Sequence, residues 1–62
     1  MTVEQVLQLL ISAMSSEEEF VEEFVRKGEL LSAAEAQARF RALDAFREAI
    51  LTRLSLEKRE GP

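Results

Sequence analysis

The 62-residue chain contains no cysteine and no histidine. Without cysteine no disulfide can stabilise it, and without either residue the usual zinc sites cannot form. A chain this short buries only about 60% of the surface that it exposes when unfolded, so its own core is marginal. We therefore expect self-association, the remaining ordinary route by which a small domain becomes stable.

The residues that most often carry catalysis are also missing, since the chain has no tyrosine besides lacking histidine and cysteine. A serine or threonine nucleophile needs an adjacent base, and acid–base catalysis near neutral pH favours histidine. Acidic residues at 18, 19, 22 and 23 form i,i+4 pairs, but such pairs are typical of a soluble helix surface. The sequence predicts a non-enzymatic protein with no catalytic residue, no cofactor and no metal site.

No apolar run is long enough to cross a membrane, which takes about 20 residues. The longest uncharged stretch, residues 5–16, contains polar side chains, and the first charged residue is Glu4 rather than the base that begins a signal peptide. The lack of cysteine fits a reducing compartment. We therefore expect a cytoplasmic protein that does not bind a membrane.

Asparagine is absent and six of eight bases are arginine, which favours a thermophilic source.

Charge is divided unevenly along a chain whose net charge is −4. Residues 1–25 contain six acidic residues and no base, whereas residues 26–62 contain all eight bases and six acidic residues. Nucleic-acid binders usually present a basic face, so this composition argues against a nucleic-acid partner. The division favours antiparallel pairing of the acidic part with the basic part, within one chain or between two.

Helix boundaries are marked by capping patterns. Thr2 and Gln5 have the spacing of a capping box, and Gly28 follows two basic residues where a helix is expected to end. Ser32 with Glu35 repeats the capping pattern. The sequence predicts an all-α protein with helices over about 3–27 and 33–58, joined by residues 28–32, in one domain over 1–60.

The predicted first helix contains one ambiguous point. Ser16 and Glu19 form a third capping pattern, so a break at Ser15–Ser16 would divide the helix and give a three-helix arrangement. Against a break, the apolar residues before and after the serines share one arc when they are placed at about 100° per residue. We favour a continuous or kinked helix and therefore an antiparallel helical hairpin.

The second helix carries two stripes at heptad spacing, and the two lie nearly opposite each other. The inward stripe contains Ala36, Phe40, Leu43, Arg47, Ile50 and Leu54, and the alanine stripe contains Ala38, Ala42, Ala45, Ala49, Thr52 and Leu56. A helix with two apolar stripes needs two partners, so the hairpin is expected to pair into a homodimer resembling a four-helix bundle. The predicted interface is Ala38, Ala42, Ala45, Phe46, Ala49 and Leu56. Alternatively the alanine stripe faces solvent, because alanine is the best helix former.

One charged residue falls within the apolar surface of each helix. Glu17 lies in the arc of the first helix and Arg47 in the inward stripe of the second. Because a buried charge is costly unless it is paired, we predict a core ion pair between them. The alternative is that both lie at the rim and extend to solvent.

Two helices of equal length around a short turn, in a chain of about this size, resemble Rop-type RNA-modulating hairpins in architecture. The clearest sequence element of this resemblance is Leu31-Ser32-Ala33-Ala34-Glu35, which leads into the inward stripe. The resemblance implies an antiparallel four-helix bundle formed by two copies, and RNA binding. Arg47 stands where the pattern expects a small core residue. The first helix also has no base before Arg26, whereas an RNA-contacting face would need several.

Two functions follow from these features. The favoured one is a protein–protein interaction module, acting as regulator, adaptor or assembly subunit, whose partners are itself and a further protein. The alternative is a Rop-like nucleic-acid-binding dimer, in which Arg39 and Arg53 lie on one flank and Arg41 and Arg59 on another, so that a dimer could align four like charges. Acidic residues lie near both flanks, and such a mixture of charges is more typical of a solvated helix surface.

Overall fold

The computed structural model describes residues 1–59 and shows two α-helices, α1 over Val3–Lys27 and α2 over Leu30–Arg59. The helices pack against each other as an antiparallel hairpin with extents of 55 × 18 × 12 Å. The all-α prediction and the hairpin are confirmed. Neither helix, over those residues, is long and apolar enough to cross a membrane.

α1 begins at the predicted capping box. The Gln5 backbone N–H donates to Thr2 Oγ1 at 3.1 Å, and the Thr2 backbone N–H donates to Gln5 Oε1 at 2.8 Å. These two bonds satisfy donors that the first helical turn would otherwise leave without partners.

α1 then continues through Ser15–Ser16 without interruption. Both serines are exposed, so water can solvate their hydroxyls and no cap is required there. The apolar residues before and after the serines lie on one face of this unbroken helix. The alternative, with a break at the serines and three helices, is wrong.

The chain reverses direction within two residues, Gly28 and Glu29. The Gly28 N–H donates to the Val25 carbonyl at 3.1 Å, and the Glu29 N–H donates to the Phe24 carbonyl at 2.9 Å. Gly28 has φ +77°, in the left-handed region that favours glycine. These features form a Schellman motif and confirm the predicted helix end.

The start of α2 is earlier than predicted. The Ala33 N–H donates to the Glu29 carbonyl at 3.0 Å, so helical hydrogen bonding begins at once after the Schellman motif. Ser32 and Glu35 therefore lie inside the helix, and the predicted cap at Ser32 is wrong. The connection is shorter than expected because nothing in Leu30–Leu31 opposes helical geometry.

The inward stripe of α2 packs against α1 as predicted. Ala36 is fully buried, and the larger residues of the stripe are half-buried. Six of the eight half-buried residues of α1 repeat at alternating spacings of three and four, at Leu7, Leu10, Met14, Glu17, Val21 and Phe24, and the other two are Val6 and Ala13. The two helices thus meet along a heptad seam.

Candidate interaction surface

One hairpin encloses little core. Among the described residues only Ala33 and Ala36 are buried, at 7% and 0% exposure, and no large side chain is fully buried. The accessible surface is 5109 Å². A compact protein of 7.0 kDa would expose about 4,000 Å², so the hairpin exposes roughly 1,100 Å² more.

One broad side of the hairpin, which we call the aromatic face, is formed by residues at seven-residue intervals on each helix. They are Val6, Ala13 and Phe20 of α1 and Ser32, Arg39, Phe46 and Arg53 of α2. Residues seven apart lie on one side of a helix in a heptad seam. Phe20 and Phe46 are 45% and 56% exposed, and the Phe20 ring stacks on that of Phe24 at a centroid distance of 6.2 Å.

The aromatic face contains a groove at the end of the hairpin that lies away from the turn. Its volume is about 350 Å³, and its lining is Val3, Val6, Phe46, Ile50, Arg53, Leu54 and Glu57. The lining is largely apolar, with one arginine and one glutamate at the rim. Such a surface can accommodate apolar side chains of another helix.

The charged groups of the aromatic face are paired within the chain. Arg39 Nε lies 3.0 Å from both carboxylate oxygens of Glu17, which links α2 to α1. This hydrogen bond raises the pKa of the Arg39 guanidinium above its usual value. Arg53 Nε lies 3.4 Å from Glu57 Oε1, one helical turn further on.

The predicted ion pair between Glu17 and Arg47 is therefore wrong. The antiparallel register places Arg39 opposite Glu17, whereas Arg47 lies eight residues, or about 12 Å, further along α2. Arg47 instead contacts acidic groups of its own helix, with Nη1 at 3.3 Å from Glu48 and 3.8 Å from Asp44. Its guanidinium thus extends towards the rim, as the alternative held for Arg47. Glu17 does not follow that alternative, because its side chain is largely covered and paired with Arg39 of the other helix.

The opposite broad side, which we call the acidic face, has a different composition. Its residues at seven-residue intervals are Glu4, Ile11, Glu18 and Val25 of α1 and Gln37, Asp44, Leu51 and Lys58 of α2. Glu18 and Glu22 line a smaller groove with Val21, Gln37 and Phe40. No three acidic side chains within residues 1–59 converge as a metal-binding group.

The alanine stripe lies on the outer edge of α2. Ala38, Ala42, Ala45, Ala49, Thr52 and Leu56 are all exposed in the single chain. This exposure agrees with a stripe that points away from α1, and its role as an interface stays a prediction. The interface predicted from the sequence contains Phe46 but not Val6 or Phe20, which lie on the same broad side and share its seven-residue spacing. The partner of Glu17 was predicted as Arg47 rather than Arg39.

The arrangement combines exposed apolar surface with charges that are paired within the chain. Of the arginines that an RNA-binding dimer would align, Arg39 is paired with Glu17 and Arg53 with Glu57. Comparison of the chain with protein-family models, curated proteins and solved structures gives no match.

Proposed function

We propose that the chain is a non-enzymatic interaction module of the cytoplasm that acts as a homodimer, in the role of a regulator, adaptor or assembly subunit. The observation that carries this proposal is the small core of the single hairpin, in which two alanines are the only buried residues in the part of the chain that the structure describes. Large apolar side chains such as Phe46, Leu9 and Phe20 remain about half exposed. Exposed apolar surface of this extent is typical of an interaction site.

Stability gives a second reason for a homodimer. A small domain without disulfides or metal depends on the apolar surface that it buries, and this hairpin buries little. A second copy of the chain presents the same unfilled surface and is always available at the same concentration. Two copies can therefore complete a core that one copy lacks.

Sedimentation velocity and thermal melting over a wide range of protein concentration test the proposal. We expect a species of twice 7.0 kDa, and a melting temperature that rises with concentration because association stabilises the folded state. A chain that stays monomeric and melts cooperatively at a fixed temperature would contradict it. In the same samples, salt-sensitive binding of total RNA would instead favour the Rop-like alternative.

A further inference from the structure

Two hairpins that pair through the alanine stripe form a different assembly from two hairpins that pair into a four-helix bundle. In a bundle each helix has two neighbours in directions about 90° apart, because four helices surround one core. The alanine stripe lies nearly opposite the inward stripe on α2, so pairing through it would place four helices in a single layer. A bundle needs the second copy to cover a broad side of the hairpin instead.

We propose that a second copy of this chain docks on the aromatic face, so that Phe20 and Phe46 are covered in a four-helix bundle. This inference rests on the proposed homodimer and specifies which surface forms it. The alanine stripe then lies on the outer surface of the bundle.

Composition favours the aromatic face over the acidic face. Interfaces are enriched in aromatic residues and arginine and depleted in glutamate, aspartate and lysine. The aromatic face presents Phe20 and Phe46 together with two arginines. The acidic face presents Ile11 and Val25 at similar exposure, but it also presents Glu4, Glu18 and Asp44. Phenylalanine is among the residues enriched at the centre of interfaces, so the exposed rings of Phe20 and Phe46 are suited to anchor one.

The charges of the aromatic face are compatible with being covered. Arg39 is held by both oxygens of Glu17, whose side chain is only 17% exposed. Arg53 already has Glu57 as a partner at the rim of the groove. A docked copy would therefore cover ion pairs rather than isolated charges, which avoids the largest desolvation cost.

The available area also separates the candidate surfaces. The broad side measures 55 × 18 Å and the narrow edge 55 × 12 Å, so the broad side offers a partner the larger area. The hairpin exposes roughly 1,100 Å² more than a compact protein of its mass, and a standard interface covers about 800 Å² on each partner. An interface of standard size on the broad side would therefore remove most of that excess.

Four single variants of the full chain test the proposal by sedimentation equilibrium. Phe20→Gln and Phe46→Gln are expected to raise the dimer dissociation constant at least about tenfold, because each removes an aromatic anchor. Ile11→Gln, at a residue of matched exposure on the acidic side of α1, and Ala45→Glu on the alanine stripe should change it by no more than about twofold. Dissociation by Ala45→Glu with no effect of Phe20→Gln would overturn the inference while leaving the homodimer intact.

A second measurement leaves all the apolar side chains of the chain in place. Ser16→Cys and Ser15→Cys each place one thiol in a cysteine-free chain, at exposed neighbours about 100° apart around α1. Ser16 lies one turn before Phe20, and Ser15 lies one turn before Glu18. In the dimer the Ser16→Cys thiol should be alkylated several-fold more slowly than after dilution to monomer, whereas the Ser15→Cys rate should not change. If dimer formation slows alkylation of the two thiols equally, or slows neither, the inference is overturned. A chain that stays monomeric at every concentration would refute the proposed function itself.

Discussion

Beside the turn, α1 and α2 meet over Ala33 and Ala36, which are 7% and 0% exposed, whereas the opposite end opens into a groove of about 350 Å³. Side-chain size explains the difference. Alanines allow two helices to approach closely, whereas Phe46, Ile50 and Leu54 are too large to be enclosed by one neighbouring helix. The turn end is therefore packed within one chain, and the open end has apolar surface left for a partner.

The largest effect is expected from overpacking the turn end. Ala36→Leu places a larger side chain at the most buried position and should lower the free energy of unfolding by about 1–3 kcal/mol. Ala38→Leu is the matched control, because Ala38 is exposed on the same helix, and it should stay within about 0.5 kcal/mol. Chemical denaturation at one protein concentration measures both. Equal effects would show that the turn end is not tightly packed.

A somewhat smaller loss is expected from the turn itself. Gly28→Ala should cost about 1–2 kcal/mol, because a residue with a Cβ is strained at φ +77°. An added Cβ would meet no atom within 4 Å, so the cost comes from the backbone conformation alone. Gly28→Asn should recover part of the loss, since asparagine tolerates this conformation better. If both variants melt like the parent protein, the Schellman motif does not determine the turn.

At the open end, loss of the N-cap should have a more local effect. Thr2→Ala removes the side-chain acceptor for the Gln5 N–H and should cost about 1 kcal/mol. Amide hydrogen exchange should accelerate in the first turn of α1 and not near Gly28. Thr52→Ala serves as control, because Thr52 is an exposed residue within α2. Uniform acceleration along both helices would contradict the view that the two ends respond separately.

The smallest effect is expected from the interhelical ion pair. Glu17→Gln removes the carboxylate that holds Arg39, but the Arg39 side chain is 52% exposed and such pairs contribute little. We expect a slight fall in melting temperature and a weaker dependence of that temperature on salt. Glu57→Gln, which removes a pair within α2, should change the melting temperature less. A larger fall for Glu57→Gln than for Glu17→Gln would contradict the greater contribution of the interhelical pair.

The ends of α1 and the inward stripe of α2 could be predicted because they depend on local chemistry. The cap at Thr2 needs only the spacing to Gln5, and the end at Gly28 needs only a residue that accepts positive φ. Heptad spacing likewise identifies which residues share one face of a helix. The start of α2 was predicted too late, because Ser32 and Glu35 have a capping pattern that the shorter turn leaves unused.

The sequence by itself determined two helices, the conformation at Gly28 and the seam that joins the helices, since each follows from residues close together in the chain. Only the tertiary structure decided that Glu17 pairs with Arg39 rather than Arg47, and that Val6 and Phe46 line one groove. The physical reason is register. The Schellman motif reverses the chain at Gly28–Glu29, and that short connection sets which residue of α2 lies opposite each residue of α1.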